Sequence, residues 1–264
     1  MRLEEKHARS SLVVVREGEL LLTGGFDHNC SLLSPRTGHW RDGPSMPTEE
    51  RYQHCSAQLR GSSVLCGGWD SNANGALSST LLLPAGDAAQ WKRGCEMTTS
   101  RRNAGAAVVG AADASAHRML VVGGADSINR SLDSCELYDA VADRWLLQET
   151  GLLLAMQCRA APIGGGSAVL AVQCNDHAEK TRCALFDARS SSPSWQPMAS
   201  PDSARRYHTI AAVGEHSVVM LGGRDADYET ADIAQLYDTR TGRWSERSEW
   251  RLPAPSYGHC ACLL

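Results

Sequence analysis

The chain reads as an all-β protein built from one small antiparallel sheet repeated five times. Three observations carry that reading. Five of its seven tryptophans, Trp40, Trp91, Trp145, Trp195 and Trp244, recur at intervals of 49 to 54 residues. Upstream of four of them an apolar run stops at a glycine pair: Gly24-Gly25, Gly67-Gly68, Gly123-Gly124 and Gly222-Gly223. Between glycines and tryptophan lies a second short apolar run closed by a turn former, clearest at Tyr138-Asp139, Phe186-Asp187 and Tyr237-Asp238. Short apolar runs bounded by Gly, Asp and polar clusters are strands joined by turns, and a fixed period near 50 residues marks a repeat architecture.

Each repeat contains four such runs. After a tryptophan the chain reaches a Met or Pro, then an arginine or polar residue opens the next apolar run. Met46-Pro47 leads to Arg51-Tyr52-Gln53-His54, Met97 to Arg101-Arg102, Met156 to Arg159-Ala160-Ala161, and Met198 to Arg205-Arg206-Tyr207-His208. That run is the first strand. The second ends at the diglycine, the third at the Tyr-Asp position (weaker as Leu33-Ser34 and Leu83-Pro84), and the fourth carries the tryptophan. The fourth repeat departs from the pattern, with Val172 and Gln173 where the glycines belong and Asn175 in place of aspartate. The repeats fall at about 10–47, 48–97, 98–154, 155–202 and 203–252, within one domain spanning 1–264. A small twisted sheet with two apolar faces cannot bury both alone, so neighbouring repeats are expected to pack face to face.

Composition narrows the function classes. A net charge of −4 provides no global attraction to nucleic acid or an anionic membrane. No stretch approaches the roughly 20 apolar residues needed to span a bilayer, and the N-terminus lacks a signal-peptide core, so a soluble cytoplasmic protein is expected. Of the ten cysteines, Cys55, Cys66, Cys135, Cys183, Cys260 and Cys262 sit inside apolar runs and no CxxC pair exists, which fits buried free thiols. Asp27, Asp70, Asp126 and Asp225 follow the glycines as turn formers. His54, His208 and His259 are repeat equivalents and do not form a ligand set, so neither metal nor cofactor is expected.

A unit of about 50 residues with a diglycine, a spaced Tyr-Asp and a Trp resembles the kelch repeat, over essentially the whole chain. The resemblance implies a β-propeller of five four-stranded blades, with an incomplete six-bladed ring as the alternative. Pro255-Ser256-Tyr257-Gly258-His259-Cys260 aligns with Arg51-Tyr52-Gln53-His54-Cys55, so residues 253–264 are expected to close the ring by completing the first blade. Ser10–Val15 competes for the same position.

In kelch propellers the binding surface is generally one end of the ring, formed by the loops entering the inner strands and the residues just after the diglycine. Carried onto this chain, the resemblance implies partner-binding roles for Phe26, Trp69 and Arg224 after the glycines. In the loops it implies Arg51 with Tyr52, Arg101, Arg102, Arg159, Arg205, Arg206 with Tyr207, and Tyr257. Arginines interleaved with aromatics have the composition of interaction hot spots, and arginine forks favour acidic segments. The same arginines also have a structural reading, as donors to neighbouring loop carbonyls. The expected function is a non-catalytic protein or peptide scaffold, resembling the substrate-recognition propellers linked to ubiquitin ligation, although the BTB and BACK regions of such proteins have no counterpart here. An enzyme of kelch type, a sugar mutarotase or an oxidase, is the alternative.

Overall fold

The computed structural model describes residues 9–15, 18–25, 28–47, 50–86, 90–110, 118–148, 156–174, 181–190 and 194–262. Five four-stranded antiparallel sheets form a five-bladed β-propeller. The first blade comprises Ser11–Val14, Leu20–Thr23, Cys30–Ser34 and His39–Asp42. The second has Cys55–Leu59, Ser62–Cys66, Thr80–Leu83 and Lys92–Arg93, with a small hairpin of Trp69–Asp70 and Gly75–Ala76 projecting after its glycines. The third consists of Gly105–Val109, Arg118–Val122, Cys135–Asp139 and Arg144–Gln148. The fourth has Gln157–Ile163, Ala168–Cys174, Arg182–Asp187 and Trp195–Met198, and the fifth Thr209–Val213, Ser217–Leu221, Ala234–Asp238 and Arg243–Glu246. Among the described residues no helix is long and apolar enough to cross a membrane.

Stability comes from the seams between blades. Four apolar clusters each draw on two consecutive blades: Leu21 and Cys30 with Leu65 and Trp91, Val64 and Cys66 with Met119 and Trp145, Leu120 and Val122 with Val169 and Trp195, and Leu170 and Val172 with Val218 and Tyr237. The recurring aromatics now have a physical role. Tyr138, Phe186 and Tyr237 lie directly opposite Trp145, Trp195 and Trp244 on the outer strand pairs, with ring centroids 4.9, 5.2 and 5.1 Å apart. Such cross-strand aromatic pairs are the unit of sheet stabilisation. The indole N–H then reaches back to the preceding blade: Trp91 to the Pro44 carbonyl, Trp145 to that of Cys95 and Trp244 to that of Ala199. One residue therefore ties its own sheet and its neighbour.

Ring closure differs from the expectation. Ser11–Val14 pairs with Leu20–Thr23 as the inner strand of the first blade, and no strand occurs within 253–262. The C-terminal segment instead repeats the loop that precedes an inner strand. Gly223 N–H donates to the Ser256 carbonyl, as Gly25 does to Arg51 and Gly68 to Arg101. The inner position of the first blade is already filled in register by the N-terminal strand, which leaves residues 256–261 on the axis beside the fifth blade.

The nine cysteines whose side chains are described are free thiols. Burial pushes Cys158 and Cys183 up to about 12, which keeps both protonated and unreactive at neutral pH.

Candidate functional site

The loop entering each inner strand supplies four consecutive positions with distinct roles. The first is Arg51, Arg101 and Arg205 in the second, third and fifth blades, and all three are buried. The Arg51 guanidinium donates to the carbonyls of Gly67 and Ser79 and to Ser79 Oγ, at 3.0, 3.1 and 2.6 Å. Arg101 does the same with Gly123, Ser134 and Ser134 Oγ, and adds an ion pair with the fully buried Glu136 at 2.9 Å. Arg51 and Arg101 thus hold the carbonyls around the diglycine of their own blade, while their backbone carbonyls accept from the diglycine of the blade before. They are structural bolts and present no guanidinium to a partner. The fourth blade, which lacks the diglycine, has Met156 at this position.

The second position forms the rim. Tyr52, Arg102 and Arg206 bridge to Trp69, Ala125 and Arg224, the residues just after each glycine pair. Arg102 lies 4.8 Å over the Trp69 ring and donates to Gln53 Oε1 at 2.9 Å and to Asn129 Oδ1. Arg206 stacks on Tyr228 at 4.3 Å and Arg224 on Tyr257 at 3.7 Å. At the third position a backbone ladder circles the axis, with Gln53 N–H donating to the Arg9 carbonyl, Asn103 to Gln53, Cys158 to Asn103 and Gly258 to Tyr207. Tyr207 belongs to this inner circle, 6.2 Å from Tyr257 and under the Arg9 guanidinium at 5.9 Å.

The fourth position points inward and carries His54, Ala104, Arg159, His208 and His259. Arg159 therefore occupies the axial slot of the histidines and not a place on the rim, because the register pairs it with Val172. It lines a cavity of about 140 Å³ together with His54, His259 and residues of the first, third and fifth blades. His54 accepts or donates at 2.9 Å to Thr23 Oγ1, and His208 Nδ1 lies 2.8 Å from the Arg205 carbonyl.

Burial holds both of these imidazoles neutral, lowering each from 6.5 to about 3, with the adjacent cations Arg51 and Arg159 adding to the effect. The unfolded chain therefore binds protons that the folded one refuses. Stability is full above about pH 6.5 and declines as pH falls towards 3, by up to about 1.4 kcal/mol per pH unit for each group. Urea unfolding between pH 7 and 5 should show that slope. His54→Ala combined with His208→Ala, which copies the alanine that the third blade carries at Ala104, should flatten it.

Phe26 lies outside the described residues, as does Asp27. Asp70, Asp126 and Asp225 accept local backbone N–H groups, as turn formers do. Tyr228 on the rim and Arg9 in the inner circle were not among the residues expected at the site. Tyr228 sits in a polar loop whose length differs from blade to blade, and Arg9 precedes the first strand, where no repeat signal reaches. No family model matches the chain, and no curated protein matches it.

Proposed function

We propose that the chain is a non-catalytic interaction module that grips a segment of a partner protein on the rim at the fifth blade, seating an acidic side chain between Arg206 and Arg224. The observation that carries this reading is the arginine pair itself. The two residues exchange both backbone hydrogen bonds, at 2.7 and 2.8 Å, so their side chains leave the same face directly opposite one another. Like charges so placed destabilise a sheet. Among the described residues no carboxylate pairs with either, and Arg206, only 4% exposed, keeps Nε and Nη1 buried without an acceptor. A carboxylate arriving beside them would offset both charges and take a bidentate hold on the partly exposed Arg224 guanidinium.

Around the pair, Tyr228 and Tyr257 are half exposed and already oriented by the guanidinium stacking. Rigid tyrosines flanking arginines are the usual anchors of an interface. The kelch-like repeat pattern points the same way, since propellers of that kind commonly serve as scaffolds.

The test begins with proximity labelling and mass spectrometry to obtain a partner. Arg224→Gln should then weaken that partner by about thirtyfold or more, the effect of removing one charge from a desolvated pair. The same substitution should leave stability unchanged or raise it by up to about 1 kcal/mol, because it relieves the like-charge contact. Retained binding, or a loss of stability in place of binding, would sink the proposal.

A further inference from the structure

The axial cavity carries a second, independent reading. Among its lining residues are two guanidinium groups, Arg9 and Arg159, and two imidazoles, His54 and His259, but no aspartate or glutamate. Arg159 donates from Nη1 to the Cys158 carbonyl at 2.8 Å, and among the described residues no carboxylate pairs with it. Its charge reaches His208 and His259, which lie at equivalent places around the axis. His259 is more exceptional than its repeat equivalents. His54 has Thr23, and His208 has the Arg205 carbonyl, but both ring nitrogens of His259 are buried without a partner. Leu221 stands where the first blade has Thr23, so the repeat provides no hydroxyl for it.

A half-buried cation without a counterion, close to an imidazole whose two ring nitrogens are buried without a hydrogen-bond partner, carries a cost on both counts. Both costs vanish if one acceptor-rich anion sits between them. The cavity has the room, because 140 Å³ compares with about 30 Å³ for a water molecule in the liquid. Asn103 and Thr209 add neutral donors to its wall.

We infer that the axial cavity is a binding site for a small oxyanion, held by the Arg159 guanidinium and the His259 imidazole N–H. The ligand is a free phosphate or a carboxylate, both of which satisfy this donor set. The site does not depend on the reading of the rim.

The experiment titrates inorganic phosphate and, separately, acetate into the full chain. Calorimetry reads affinity, and the His259 ring resonance reads location. Saturable binding that shifts His259 is expected. Binding of both anions assigns a general oxyanion site, and binding of phosphate alone narrows the ligand to phosphate. Arg159→Gln should lower the affinity about thirtyfold or more, whereas Arg224→Gln on the rim should leave it unchanged. His259→Ala provides a second variant should Arg159→Gln not fold, and it should also weaken binding. Absence of saturable binding to the unmodified chain, or binding that survives loss of both Arg159 and His259, would overturn the assignment. Loss through Arg224→Gln alone would move the anion to the rim.

Discussion

Arg101→Ala should destabilise the fold by about 3–5 kcal/mol in urea unfolding, the range for stripping one partner from a buried ion pair. Glu136 makes the effect large. Its carboxylate is fully buried, accepts from Arg101 Nη2 and from the Thr98 and Thr99 N–H groups, and would be left charged in the seam. Arg51→Ala provides the comparison. Arg51 is equally buried and bonds the equivalent carbonyls of Gly67 and Ser79, together with Ser79 Oγ. Its loss leaves neutral acceptors unsatisfied, at about 1–3 kcal/mol. Adding Glu136→Gln to Arg101→Ala should therefore recover part of the loss. No recovery on adding Glu136→Gln would mean that the buried charge contributes nothing.

The same arginines show which parts of this molecule were legible in its sequence. The five sheets follow from period, glycines, Tyr-Asp and Trp because those residues act within one blade or across one seam, where spacing along the chain maps directly onto the register. Tyr138 opposite Trp145 is an example. Closure was not legible, because residues 253–262 and Ser11–Val14 carry the same apolar pattern and pattern alone does not say which of them pairs. Arg159 was misplaced for a related reason. Without a diglycine in the fourth blade there was no anchor for counting, and the residue lies three positions further along its loop than Arg51 does. The rim was legible as a composition, arginine with aromatics, but not as a set of partners. Arg101 and Arg102 are adjacent in sequence, yet one is sealed between blades and the other stacks over Trp69.

Gly124→Ala should cost at least about 3 kcal/mol and disturb the rim together with the fold. Gly124 has φ +89°, a conformation that costs an L-residue about 1–3 kcal/mol. Conformation is the smaller part of the effect. A Cβ at this position would lie 2.4 Å from the Arg102 carbonyl oxygen and 3.0 Å from the Ala104 nitrogen, both backbone atoms with no rotamer to escape into. Gly61 isolates the two contributions, since its φ is +79° and a Cβ there meets nothing within 4 Å. Gly61→Ala should cost only the conformational part, about 1 kcal/mol. The excess at Gly124 measures the close approach of two chain segments that the diglycine exists to allow. To make room, Arg102 must retreat from Ala125, breaking the paired N–H to carbonyl bonds of 2.9 Å each and drawing its guanidinium away from Trp69. Amide hydrogen exchange should therefore show protection lost at Arg102 and Ala125 before the blade as a whole opens. If Gly124→Ala and Gly61→Ala prove equally mild, the glycine pair is no more than a turn, and the coupling drawn between blade architecture and rim geometry fails with it.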